Sequence, residues 1–273
     1  IHATAGILKD VPDIDADQQL KFLSNLHSES QRLSNTSQSL VTYFDRKPET
    51  LNAPSTPLDE FESFLSVNNF FFGDVETDNT DAIELIVDGA AELASNASKT
   101  LAHKFLEQYR QDAKILPRDA FQEMAAQLHF APDKLADHFE CILPSVFRRL
   151  AFLPPQASGS DREIEFGLIT CDISGAVTLR KPLTGFSLPR YGAACPIWPL
   201  YQSIVQPGVP IKVILNTPDE VNFLSYGLCQ RIGIGGFGAP QQLEASMLIT
   251  LAQPGDTGQI VPVGLNCRIC SRQ

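Results

Sequence analysis

The chain has 273 residues, 43% hydrophobic and 19% charged, an ordinary globular balance that supplies one large core or two modest ones. A formal net charge of −11, with no run of Lys or Arg, makes these residues alone a poor surface for a polyanion. No window reaches the ~20 apolar residues of a membrane span, and six unevenly placed cysteines do not form a small secreted disulfide scaffold, so reduced thiols in a cytoplasmic protein are expected.

The opening Ile1-His2-Ala3-Thr4-Ala5-Gly6 has no basic residue ahead of an apolar run, unlike a signal peptide, and starting on isoleucine is expected of a trimmed, longer protein. Leu20, Leu23, Leu26, Leu33, Leu40 and Phe44 recur at helical spacing and predict one long or two shorter amphipathic helices over residues 13 to 45. Pro48, Pro54 and Pro57 mark a loop from about Arg46 to Pro57. The helical pattern resumes at Asp59-Glu60-Phe61-Glu62-Ser63-Phe64-Leu65, and the aromatic run Phe70-Phe71-Phe72 is expected to pack between the two halves of the chain. Ile83, Ile86, Ala90, Leu93, Ala97, Leu101, Phe105 and Tyr109 predict a single long helix from Thr80 to Arg110.

After Pro117, Arg118 or Asp119 opens a short helix through His129, Pro132 sits in the first turn of another, and Ser145 to Phe152 forms a third. Leu135 to Glu140 and Ser145 to Leu150 resemble a helix-turn-helix. The turn lacks glycine, however, only Arg148 and Arg149 are basic, and Asp133, Asp137 and Glu140 would oppose phosphate, so a structural helical module is the expectation.

Beyond Pro154-Pro155-Gln156-Ala157-Ser158-Gly159-Ser160 the texture changes to short strands: Ile164 to Cys171, Val177 to Arg180, Val209 to Leu215, Val221 to Gly227, Ala245 to Leu251 and Ile260 to Val263. Asp172-Ile173-Ser174-Gly175 is a hairpin turn signal, and Gly233, Gly235, Gly236 and Gly238 make a loop expected to border a pocket rather than cradle phosphate, since no GxxxxGK[ST] string occurs. The fold class is therefore α+β, with helical residues 1–80 and 81–156 preceding an antiparallel-sheet domain over 157–273.

The chemistry concentrates in that last domain. Cys195 lies in Arg190-Tyr191-Gly192-Ala193-Ala194-Cys195-Pro196-Ile197-Trp198, and Cys267-Arg268-Ile269-Cys270 closes the chain. Two cysteines separated by two residues can aim both sulfurs at one ion, and thiolate softness selects an iron-sulfur cluster or zinc. One more soft ligand is needed, from Cys171, Cys229, a bound small molecule or a residue past Gln273; Cys141, Cys171 and Cys229 otherwise serve as small buried hydrophobes.

Thr184 to Trp198 and Gly264-Leu265-Asn266-Cys267-Arg268-Ile269-Cys270 resemble the C-terminal sensory domain of the short-chain fatty acid regulators, a family of bacterial transcription factors. Tyr109 to Pro117 and His129 to Leu153 are similar to the degenerate metallopeptidase-like region preceding that domain, and Phe61 to Val75 to the family's linker, so the resemblance covers nearly the whole chain. It implies a GAF-like C-terminal domain, a DNA-binding domain upstream of this chain, a homodimer, short-chain acyl-CoA or CoA as signal, and an iron-sulfur cluster of 4Fe-4S type on Cys195, Cys267 and Cys270. No His-Glu-x-x-His string survives from the peptidase ancestry; His103 precedes Lys104, and His129 and His138 are expected to be packing or surface residues.

An acyl-CoA needs an apolar slot and cations for its phosphates. Arg180, Lys181, Phe186, Arg190, Tyr191, Trp198 and Arg231 are the candidates, with Arg190 as a bidentate anion clamp beside Tyr191, and Trp198 favoured for core packing. The alternatives are an acyl-CoA-processing enzyme using Cys195, which would lack a base because the domain holds no histidine, and a zinc-stabilised interaction module.

Overall fold

The computed structural model describes residues 15–45, 56–77, 79–154, 156–158, 162–186, 188, 194–233 and 242–264. Helix α1 (Ala16–Asp45) is one helix rather than two, and its Leu20, Leu23 and Leu33 stay exposed. The loop expected from Arg46 to Pro57 lies almost entirely outside the described residues. Helix α2 (Pro57–Val67) begins on a proline whose fixed φ suits the first turn. Thr56 and Asp59 close a capping box across that turn, with the Asp59 N–H donating to the Thr56 hydroxyl at 3.2 Å and the Thr56 N–H donating to the Asp59 carboxylate at 3.0 Å.

The single helix expected from Thr80 to Arg110 is instead two, α3 (Ala82–Gly89) and α4 (Asn96–Ile115). Ser95 caps α4 by accepting from the Ser98 N–H at 3.1 Å, and Glu60 of α2 fixes the break by accepting from the Ser95 N–H and the Ser98 hydroxyl at 2.8 and 2.7 Å. The apolar period survives because Leu93, inside the break, still turns into the core. Helices α5 (Arg118–Gln127), α6 (Pro132–His138) and α7 (Leu143–Phe152) complete the helical half.

Aromatic rings fill that half. Phe64 stacks on Phe72 at 5.3 Å, and Phe105 meets Phe152 at 5.2 Å. Phe70 stacks on Phe152 at 6.3 Å while the Lys181 ammonium of the sheet lies 6.0 Å from its ring centroid, so the Phe70-Phe71-Phe72 run belongs to the core that the helices share with one face of the sheet. Arg149, 1% exposed, forks onto both Glu76 oxygens at 2.7 and 2.9 Å and donates from Nε to the Leu116 carbonyl at 2.9 Å. Arg148 forks onto Asp112 at 2.6 and 2.9 Å. Both arginines that a helix-turn-helix would spend on phosphate are thus committed inside the helical half.

A short hairpin, β1 (Gln156–Ser158) with β2 (Arg162–Ile164), leads into β3 (Phe166–Asp172), β4 (Val177–Lys181), helix α8 (Pro199–Val205), β5 (Ile211–Asn216), β6 (Asn222–Ile232), β7 (Gln242–Leu251) and β8 (Gln259–Pro262). The six-stranded sheet has the order β4-β3-β7-β6-β5-β8. The sheet is antiparallel, as expected, except at one edge, where β8 runs parallel to β5. Residues 252–258 carry the chain past the ends of β6 and β5 without reversing it, because β7 already runs in the direction of β5. Alternate residues face opposite sides of the sheet. Phe166, Leu168, Leu228 and Leu248 join the helical core, whereas Ile169, Cys171, Phe223, Cys229, Ala245, Met247 and Ile249 form a second core on the other face.

Candidate functional site

The second core is covered by the loop carrying Cys195 and by α8, a helix that the strand pattern alone did not announce. Pro199 stands at its first position and Trp198 caps it, with the Trp198 carbonyl accepting from the Tyr201 and Gln202 N–H groups at 3.0 and 3.1 Å. Seating this turn requires Gly227 on β6. A Cβ there would fall 2.6 Å from Pro199 Cβ and 2.8 Å from the Pro199 carbonyl oxygen, too close for any side chain.

Cys195 is 3% exposed, and its carbonyl accepts from the Trp198 N–H at 3.1 Å. Trp198 is 1% exposed and packs against Phe186 at 5.1 Å, which meets Phe223 edge-on at the same distance. Trp198 and Phe186 therefore come together as core around the Cys195 turn. The Trp198 indole N–H donates to the Gly264 carbonyl at 3.2 Å, and the next residue inward, Val263, donates its N–H to Asn216 of β5 at 2.9 Å. The C-terminal segment is thereby fastened beside the Cys195 turn just before it continues to Cys267 and Cys270, which lie outside the described residues, as do Arg190 and Tyr191. Cys267 lies three positions after Gly264 and Cys270 six, a reach of at most ~11 and ~22 Å in extended chain.

Cys171 and Cys229 both pair with Ala245 in the sheet register, so they flank it on this same face, fully buried. Burial, helped by the nearby Asp172 carboxylate, pushes the Cys171 thiol up to about 12, and burial with Glu244 raises Cys229. Both are small buried side chains packed within the second core. Cys141 is half-buried on the helical side. Among the described residues no group of three or more His, Cys, Asp or Glu side chains could hold a metal.

The candidate cations divide. Arg180 donates from Nε and Nη2 to Glu62 of α2 at 2.9 and 2.6 Å, clasping the sheet edge to the helical half. The Lys181 ammonium donates to the Phe166 carbonyl at 2.7 Å, and burial lowers its pKa. Arg231 is exposed near the end of β6, opposite Leu243 and just before the glycine loop, most of which is outside the described residues. Three strand spacings and four residues along β6 separate Arg180 from Arg231, roughly 20 Å, so the structure does not bring these two to one anion. His103 pairs with Glu84 at 3.4 Å and His129 and His138 are exposed, as surface histidines would be. Strand register could not have revealed α8, Gly227 or the Gly264 tie; the Pro after Trp198 was the one local sign of a helix start.

A helical half laid on one face of a mixed sheet, with a buried cysteine turn on the other, defines an α+β module. Residues 157–273 match the family described as the short-chain fatty acyl coenzyme A regulator, C-terminal, and the chain carries that family's C-terminal domain. It is 30% identical over 204 residues to a propionyl-CoA carboxylase regulator of Cereibacter sphaeroides, covering 71% of this chain and 43% of that protein. The HTH-type transcriptional regulators RamB and PrpR of Mycobacterium tuberculosis are 25% and 26% identical over 203 and 206 residues, covering 69% and 71% of this chain and 42% and 41% of theirs. The chain thus spans about two fifths of the length of these relatives, which are regulators by name and not enzymes. A solved structure of a Mycobacterium tuberculosis transcriptional regulator shares the fold, with a TM-score of 0.56, 24% identity and coverage of 84% of this chain and 74% of that one.

Proposed function

We propose that this chain is the ligand-sensing part of a transcriptional regulator of short-chain fatty acid metabolism, binding a short-chain acyl-CoA and holding an iron-sulfur cluster on Cys195, Cys267 and Cys270. In this reading 1–80 and 81–156 are the helical linker and the degenerate peptidase-like region, 157–273 is the sensory domain, DNA is contacted by a domain beyond this chain, and the protein is a homodimer. The observation that carries it is the Trp198–Gly264 hydrogen bond, which fastens the segment leading to Cys267 and Cys270 beside buried Cys195. The match of 157–273 to the regulator family supports the ligand class.

When bound, the cluster would supply a covalent tie between the Cys195 turn and the chain end, and with it sensitivity to iron or oxidation. The protein's own contribution is to bury Cys195, exclude water with Trp198 and Phe186, and present the C-terminal segment through the Gly264 carbonyl. A ligand biases such a module only by its differential affinity for two states. Anaerobic purification should yield visible charge-transfer absorption with iron and sulfide, and calorimetry should detect propionyl-CoA more tightly than free CoA. The variant Trp198→Phe, which loses the indole donor, is expected to keep its far-UV circular dichroism but retain less iron through gel filtration. Stoichiometric zinc without iron would reject the cluster, and no binding of either thioester or CoA would reject the sensor.

A further inference from the structure

On the helical face of the sheet, well apart from the cysteine turn, lies a cavity of about 330 Å³ between the α5–α6 turn, the sheet and the loop 253–257. Its floor is apolar. Phe130 and Phe166 meet at 6.1 Å, and Phe166, Thr250 and Leu224 stand side by side in one cross-strand row. The α5–α6 turn is held open by two consecutive residues in the left-handed region, His129 at φ 53° and Phe130 at φ 55°, a conformation that costs a non-glycine residue about 1 kcal/mol or more. It is paid for by a helix-end bond from the Phe130 N–H to the Ala125 carbonyl at 2.8 Å, which also aims the Phe130 ring at the sheet.

Two lysines are among the described residues that line the cavity. Lys134 comes from α6 and Lys212 from β5, and neither makes an ion pair among the described residues, although the chain carries an excess of eleven negative charges. Lys212 reaches over the Tyr226 ring, its ammonium 5.7 Å from the centroid, and Tyr226, whose hydroxyl makes no hydrogen bond to any described residue, lines the same cavity. Among the described residues that line it the one carboxylate, Asp256, is engaged by its own turn, accepting from the Gln253 N–H at 2.6 Å.

We infer that this cavity is a binding site for a short acyl chain with an anionic head, the chain lying on Phe130, Phe166 and Leu224 and the head drawn between Lys134 and Lys212 with Tyr226 as donor. The volume is at the small end of ligand pockets and suits a chain of a few carbons rather than a whole nucleotide. Two sources share this chemistry: a free short-chain carboxylate, whose head would sit between the lysines, and an acyl thioester, whose phosphates would lie at the rim. The second source rests on the sensor reading above; the first does not.

Calorimetry on the full chain with propionate, propionyl-CoA and CoA separates them. The double variant Lys134→Ala/Lys212→Ala removes two charge-assisted contacts from exposed positions and should weaken whichever ligand binds by about tenfold or more. The exposed Thr257→Trp, which adds bulk at the mouth, should do likewise, and far-UV circular dichroism should show both variants folded. Binding of propionate that the variants lose, with no binding of the thioester, upholds the cavity and rejects the acyl-CoA reading. Binding of propionyl-CoA that both variants keep unchanged overturns the cavity while leaving the acyl-CoA reading intact. Loss of thioester affinity in both variants upholds the two together, and a wild-type chain that binds neither ligand overturns the inference.

Discussion

The helical half should be most vulnerable at Arg149. Its guanidinium makes two charge-assisted bonds to Glu76, a third to the Leu116 carbonyl, and stands 5.8 Å from the Tyr109 ring centroid, all at 1% exposure. Arg149→Met keeps the aliphatic stem but leaves the Glu76 carboxylate with the Tyr109 hydroxyl, at 2.7 Å, as its remaining side-chain donor, and strips the Leu116 carbonyl of this donor. Breaking one side of a buried ion pair costs about 3–5 kcal/mol, which for a domain of this size lowers the melting temperature by roughly 6–20 °C. Glu76→Leu/Arg149→Met removes both charges and should recover about half of that loss or more, because no buried charge is then left unpaired.

The pH dependence gives an independent check. Burial alone would raise the Glu76 carboxyl, but hydrogen bonds from Arg149 and Tyr109 outweigh it and hold the group below its ordinary 4.5. A lowered carboxyl contributes stability above its unfolded pKa and loses it as pH falls through the folded one. In Arg149→Met burial is no longer opposed by the guanidinium, so Glu76 takes up a proton on acidification. The deficit of the variant should be full at neutral pH and shrink as pH falls through the region around 4.5, because Glu76 protonates at higher pH in the variant than in the wild type. Urea titrations followed by far-UV circular dichroism measure both quantities, and a neutral-pH loss under about 1 kcal/mol would falsify the assignment of this pair as the anchor of the helical core.

Two further changes probe the opposite face. Gly227→Ala drives a methyl to within 2.6 Å of Pro199 Cβ and should cost about 1–3 kcal/mol and shift Trp198 emission to the red, since α8 must lift from β6; unchanged emission with full stability would contradict the seating described. The Cys171 thiol, raised from 9.0 to about 12 chiefly by burial, favours the fold while protonated. Its contribution is complete below pH 9 and drains away as pH climbs toward 12, so Cys171→Ala should flatten the alkaline fall in urea midpoint, and parallel curves for the two proteins would refute the burial argument.

Much of the architecture was legible because it is local. Prolines 57 and 132 stand in the first turns of their helices, Asp172 and Gly175 turn β3 into β4, and the strand runs fall within a few residues of their expected places. What escaped is non-local. Apolar periodicity cannot distinguish one helix from two when Leu93 in the break still packs inward, and it is Glu60, 35 residues earlier, that fixes the break. Arg180 presents itself in sequence as an available cation, yet its partner Glu62 lies 118 residues away on another element. Conversely, Gly227 looks like an ordinary strand glycine until Pro199 is seen above it. Lys134, Lys212 and Tyr226 form no motif, because the α5–α6 turn and the strand order bring them to one cavity.

The two faces of the sheet are chemically distinct but mechanically shared. Along β6, Phe223, Gly227 and Cys229 face the cysteine turn, while Leu224, Tyr226 and Leu228 face the helices and the cavity. Neighbouring residues of one pleated strand occupy both cores, so repacking on either side displaces the backbone that the other side rests upon. The same holds for β7, where Leu248 faces the helical core between Met247 and Ile249 of the other. Arg180 and Glu62 then link the β4 edge of that sheet to α2, whose Glu60 sets the start of α4. A disturbance at Trp198 or in the cavity therefore has a continuous route of packed and ion-paired groups into the helical half. Such a route transmits a signal only if a ligand binds two arrangements of it with unequal affinity.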